Sequence, residues 1–142
     1  MIQKIHPPLA SSLIESLRDV GYTFESAIAD VIDNSITAKA SHVRIFFDIK
    51  NTEPTIAIVD NGEGMDYDEI LTAMKIGSKS PLDKRESSDL GRFGLGLKTA
   101  SFSQCRKLIV VSSQNSQRIG MSWDLDLIAK TNDWSLQILE DI

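Results

Sequence analysis

Apolar residues recur at helical spacing early in this chain and at alternating spacing in later stretches, and the changes of period mark its elements. Residues 9–19 follow Pro7-Pro8 and carry Leu13, Ile14 and Leu17 on one side, which predicts a first helix ended by Gly21. Thr23 then stands as the N-cap of a second helix over 24–39, whose core stripe reads Phe24, Ile28, Val31, Ile32 and Ser35. From His42 to Lys50 the period falls to two. Val43, Ile45, Phe47 and Ile49 alternate with Arg44 and Asp48, the pattern of a half-buried strand. Asn51-Thr52-Glu53-Pro54 has turn composition and leads into a strand over 55–59, so the pair reads as a hairpin.

The second half alternates element types in the same way. Asp66-Tyr67-Asp68-Glu69 has the form of a capping box and predicts a helix through about Lys75, with Ile70, Leu71 and Met74 apolar. Residues 77–90 show no periodicity, and a connection of that length in a compact domain is often a functional lid. A helix is expected over about 95–104, followed by the continuously apolar Leu108–Val111, which fits a strand buried on both faces. Arg118–Trp123 alternates, and Trp134, Leu136 and Ile138 give a last short strand. The class is α+β: one mixed, mostly antiparallel sheet with helices on one face.

Composition changes this picture little. With 142 residues, 42% hydrophobic and 25% charged, the chain fits a single domain with one core. Its first thirty residues hold no long apolar run, so neither a secretion signal nor a membrane span is expected. The single cysteine, Cys105, fits a small buried hydrophobe in a reducing, cytoplasmic setting. Charge is more informative. A net charge of −5 argues against general nucleic-acid binding by this domain, yet residues 75–107 alone sum to +5. That positive island suits a polyanionic ligand.

At the island's centre lies Gly91-Arg92-Phe93-Gly94-Leu95-Gly96-Leu97-Lys98-Thr99-Ala100-Ser101. Closely spaced glycines let backbone N–H groups approach a ligand, and the positive end of a following helix attracts phosphate. Two familiar phosphate loops do not fit. Leu97 puts Lys98-Thr99 one residue too far from Gly96 for a P-loop, and the dinucleotide fingerprint would need a third glycine where Thr99 stands. On the second helix Asp30 and Asn34 form an i, i+4 pair flanked by Ala27 and Ala38, a face that is either solvated or closely approached by something. Asp60-Asn61-Gly62-Glu63-Gly64-Met65 ends the second strand and has ordinary turn composition.

Taken together, Asp30–Ser35, Asp60–Met65 and Gly91–Lys98, in this order and spacing, resemble the three boxes of the GHKL ATPase superfamily. That superfamily includes the ATP-binding part of DNA gyrase, the ninety-kilodalton heat-shock chaperones, histidine kinases, MutL and the MORC proteins. The form Gly-Arg-Phe-Gly-x-Gly-Leu-Lys-Thr-Ala-Ser looks closest to MORC-like members and their bacterial relatives. The resemblance covers roughly residues 23–113 and implies the Bergerat fold, with ATP held between a helix layer and a mobile lid. Position by position, it implies that Asn34 coordinates Mg²⁺ and that Asp60 accepts a hydrogen bond from the adenine amine. Gly62 and Gly64 would let the backbone pass the base, with Met65 packing on it. Gly91, Arg92, Phe93, Gly94, Leu95 and Gly96 would form the phosphate loop, and Lys98 would bring charge to the terminal phosphate.

The resemblance also implies a general base four residues before the asparagine, where hydrolytic relatives commonly have Glu and this chain has Asp30. Thr37 replaces an aspartate frequent in that helix. Family members usually continue into further strands and domains, so the chain is expected to be the N-terminal piece of a longer protein. Three functions follow. The first is a slow Mg²⁺-dependent ATPase whose lid closure drives homodimerisation, with DNA-associated partners reached through further domains and no membrane partner. The second is a non-hydrolysing nucleotide-gated switch. The third is the ATP-binding half of a histidine kinase, for which neither His6 nor His42 has the right context.

Overall fold

The computed structural model describes residues 9–19, 21–76, 96–139 and 142. Five helices and five strands fall among them: α1 (Ala10–Arg18), α2 (Phe24–Thr37), β1 (Val43–Asp48), β2 (Thr55–Asp60), α3 (Tyr67–Met74), α4 (Gly96–Gln104), β3 (Lys107–Gln114), β4 (Gln117–Asp124), α5 (Leu125–Thr131) and β5 (Gln137–Leu139). The α+β class expected from the pattern is what the chain adopts.

Local chemistry starts α2 and α3 where the sequence placed them. Thr23 caps α2 by accepting from the Ser26 N–H. At α3 both halves of the capping box form, the Asp66 carboxylate taking the Glu69 N–H and the Glu69 carboxylate the Asp66 N–H. Helix α5 was not foreseen. Its seven residues are too few to show a period, but Asp124 caps it through the Asp126 and Leu127 N–H groups, and Asn132 closes it in the left-handed region at φ 56°. The expected lid, 77–90, lies outside the described residues.

The strands form two antiparallel sheets rather than one: β1 with β2, and β3-β4-β5. They meet not through a ladder but through the turn after β2. There the Met65 N–H donates to Ser112 Oγ at 2.7 Å and the Gln114 side chain reaches the Gly64 carbonyl.

One core lies between the helices and the inner face of the larger sheet. Ile14 of α1, Ile70 and Met74 of α3, Phe102 of α4, Met121 of β4, and Leu125 and Ile128 of α5 are fully buried in it. The Trp123 indole N–H donates to the Met74 carbonyl at 2.8 Å and ties β4 to α3. On the surface, Arg106 bridges Glu15 of α1 and Asp126 of α5. Burial raises the pKa of the Cys105 thiol, which favours its protonated form.

Two burial expectations do not hold. The run 108–111 is covered on one face only: Ile109 and Val111 are 52% and 51% exposed. Strand alternation points them away from the helices. On the hairpin, Ile45, Phe47 and Ile49 are also exposed. The hairpin stands apart from the core cluster, and the helix that contacts it is α2.

Two glycines at positive φ separate backbone freedom from close packing. Gly21 (φ 76°) has open space where a Cβ would go, whereas a Cβ on Gly64 (φ 73°) would overlap the Ser113 carbonyl. Gly21→Ala should therefore lose only the left-handed penalty of about 1–2 kcal/mol. Gly64→Ala should lose about 3 kcal/mol or more, since β3 must also shift. Urea unfolding of the two variants checks the order.

Candidate functional site

Helix α2 carries the first part of the site. Asn34 lies one turn beyond Asp30, and its side-chain amide donates back to the Asp30 carbonyl at 3.1 Å. That bond uses the NH₂ and leaves the amide oxygen as the outward, hard acceptor. The Asp30 carboxylate is half-buried and takes the Tyr22 hydroxyl on Oδ2 at 2.6 Å. Thr37 turns its hydroxyl onto the Asp33 carbonyl of its own helix.

The expected stripe on α2 holds except at its start: Ser35 is buried and Ile28, Val31 and Ile32 are half-buried. Ala27 and Ser35 are its buried residues, while Phe24 is 42% exposed. Small residues let another element come close, and α4 packs along this helix.

The end of β2 supplies the second part. The Asp60 carboxylate is held by both oxygens: Ser35 Oγ donates to Oδ2 and the Gly62 N–H to Oδ1, each at 2.8 Å. Ser35 is only 3% exposed, so this hydroxyl is a built contact from helix to strand. Each carboxylate oxygen has two lone pairs, and Asp60 keeps capacity for a further donor on its exposed side.

Sequence reasoning put Ser35 in the core and missed this partnership. The signal was a lone hydroxyl in an otherwise apolar stripe. Asn61 braces the same corner: its side-chain oxygen accepts the Ser41 and His42 N–H groups. An open depression of about 360 Å³ lined by His42, Arg44, Val59, Asp60 and Asn61 adjoins it.

The glycines of this turn face protein. A Cβ on Gly62 would come within 2.7 Å of both Cβ and the carbonyl oxygen of Ala38, at the end of α2. Gly64 lies against Ser113, and Met65 packs half-buried on the core cluster. The glycines are needed to close the turn on its neighbours before any ligand is considered.

The third part is the start of α4. Gly91, Arg92, Phe93, Gly94 and Leu95 lie outside the described residues, and Gly96 opens the helix. Lys98 is 3% exposed and donates from Nζ to the Ala73 carbonyl at 2.7 Å, in the last turn of α3. A helix C-terminus favours a cation there. Here Lys98 fastens α4 to α3.

The structure thus joins Asp30, Asn34 and Asp60 through α2 and sets α4 beside them. Among the described residues no three His, Cys, Asp or Glu side chains gather to hold a metal. A magnesium ion at the Asn34 oxygen would therefore be completed by phosphate oxygens and water, the coordination this ion prefers. The described parts thus offer an outward-capable amide oxygen on α2, a tethered carboxylate at the end of β2 and the start of α4.

Comparison with known proteins agrees. The family model described as "Histidine kinase-, DNA gyrase B-, and HSP90-like ATPase" matches residues 22–142, and the chain belongs to this ATP-binding family. Relatives include "ATPase morc-1" of Caenorhabditis elegans, 34% identical over 63% of this chain and 10% of that protein. Others are "ATPase MORC2B" of Mus musculus (29% identical, 63% and 9%) and "Chaperone protein HtpG" of Salinispora arenicola (28% identical, 68% and 17%). The chain therefore spans less than a fifth of the length of each.

Ser35→Ala should destabilise the fold by about 1.5 kcal/mol, the low end for a hydrogen bond to a charged group. Asp60→Ala should lose more, because it leaves the buried Ser35 hydroxyl without its acceptor. Thermal unfolding without ligand checks both.

Proposed function

We propose that this domain binds ATP with magnesium and hydrolyses it slowly, as the nucleotide-driven part of a larger machine. The observation that carries the reading is the join of α2 to the end of β2, which fixes Asp60 while presenting Asp30 and Asn34 from the same helix. Asp60 accepts the exocyclic amine of adenine on its exposed side. Gly62, Gly64 and Met65 shape the turn beside the base. Asn34 would hold magnesium through its amide oxygen, and the ion would supply positive charge to the phosphates. Gly91 to Gly96, with Arg92, enclose the phosphate tail ahead of α4, and Lys98 contributes positive charge at their base.

Asp30 is the general base. It accepts a proton from the attacking water, a role worth about 10²–10⁴-fold that depends on hydrogen-bond reach. Aspartate is one methylene shorter than the glutamate of hydrolytic relatives, which makes slow turnover the expected outcome. The same residue favours a second reading, a switch that binds ATP without hydrolysing it. In either case nucleotide would promote pairing with a second copy, and DNA-associated partners would be met through other domains. Among the described residues no helix is long and apolar enough to cross a membrane.

Asp30→Asn should reduce phosphate release by about 10²-fold or more while leaving ATP affinity unchanged. Phosphate release equal to the parent's would remove Asp30 from the mechanism. ATP bound tightly by a parent that releases no phosphate would select the switch. Asp60→Ala should weaken ATP binding by at least about tenfold, the loss of one hydrogen bond to a charged acceptor, as read by calorimetry.

A further inference from the structure

Asp30 has few ways to be held in place. Of the side-chain donors one helical turn away, Ser26 gives its hydroxyl proton to the Thr23 carbonyl and Asn34 gives its amide to the Asp30 carbonyl. Neither reaches the carboxylate. What does reach it comes from outside the helix. Tyr22 sits just before the α2 cap, and its phenol folds back to donate to Asp30 Oδ2 at 2.6 Å. That length is typical of a hydroxyl on an ionised carboxylate, roughly twice as strong as a neutral pair. No described residue donates to Oδ1. The backbone of Tyr22 is itself anchored, since its carbonyl accepts from Gln104 Nε2 at 3.3 Å at the end of α4.

We infer that Tyr22 is a positioning residue for the hydrolytic reaction, fixing the short Asp30 side chain by one oxygen so that the other faces the attacking water. The inference rests on the reading of Asp30 as the base. A misplacement of about 1 Å can lower a rate by about 100-fold, so a shortened base gains from being clamped. The clamp holds at working pH because the phenol remains a donor: its bond to Asp30, then burial, push its pKa up to about 12. The chain from Gln104 through the Tyr22 backbone to Asp30 also ties the base to α4, the helix that follows the phosphate loop.

Tyr22→Phe keeps the ring and removes only the hydroxyl. In the intact protein it should lower kcat about tenfold or more, as partners that orient a reacting group commonly do, with ATP affinity unchanged. Added to Asp30→Asn, it should cause no further loss. A readout without nucleotide is the tyrosinate absorbance of the chain's two tyrosines, Tyr22 and Tyr67. One should ionise near the 12 expected of Tyr22; that step should vanish in Tyr22→Phe and fall toward the ordinary value of about 10 in Asp30→Asn. An undiminished kcat in Tyr22→Phe, independent losses in the double variant, or a titration indifferent to Asp30 would overturn the inference. If Asp30→Asn is inactive while Tyr22→Phe is unimpaired, only the positioning role falls. If Asp30→Asn retains turnover, the base assignment falls first and this role with it.

Discussion

The hydrogen bond from the buried Ser35 hydroxyl to Asp60 is the contact on which the rest of the site depends. It crosses from the last turn of α2 to the last residue of β2 and sets the hairpin's distance from the helix. The turn that follows is pinned on both sides. Gly62 lies on Ala38, whose carbonyl accepts the Glu63 N–H at 2.9 Å, while Gly64 and Met65 dock on the end of β3. One strap of six residues, 60–65, therefore connects the hairpin, the helix and the larger sheet. Apart from Met65 on the core, its contacts are polar or sterically tight, so it tolerates little substitution and little sliding.

A polar join at this place has a functional consequence. An apolar seam between α2 and β2 would bind the layers as well, but it would leave no carboxylate oriented at the surface. Here the groups that hold the layers together also orient the groups proposed to meet the nucleotide. Asp60 is fixed by two donors, Asn34 is oriented by its own helix, and Asp30 is held from the residue before the cap. The core elsewhere, from Ile14 to Ile128, gives α3, α4 and α5 a firm base against β3 and β4. The hairpin shares little of that core, and its exposed Phe46, Phe47 and Ile49 reflect this.

Much of this architecture was legible from the residues alone, for reasons that can be named. Thr23 and the Asp66/Glu69 pair carry capping chemistry that acts within four residues, so α2 and α3 begin where the pattern put them. The hairpin turn is likewise local. Long-range choices were less legible. Alternation in β1 says which residues share a face but not whether anything covers that face. The apolar run at 108–111 looked two-sided because leucine, isoleucine and valine serve both a core and a sheet surface. Helix α5 is too short for periodicity, and its capping aspartate closes a strand whose pattern dominated the reading. Ser35 was assigned by its place in a stripe, although its chemistry was the clue. The Tyr22–Asp30 contact spans eight residues, beyond any helical spacing rule.

Adenine presents an amine where guanine presents a carbonyl oxygen, so Asp60, in the proposed role, should tell the two apart. Calorimetric titration of the complete polypeptide with ATP and with GTP, each with magnesium, tests this directly. A hydrogen-bonding site left unpaired rejects the wrong ligand by large factors, and ATP should bind at least about 100-fold more tightly than GTP. Equal heats and affinities for the two nucleotides, or none for either, would contradict it.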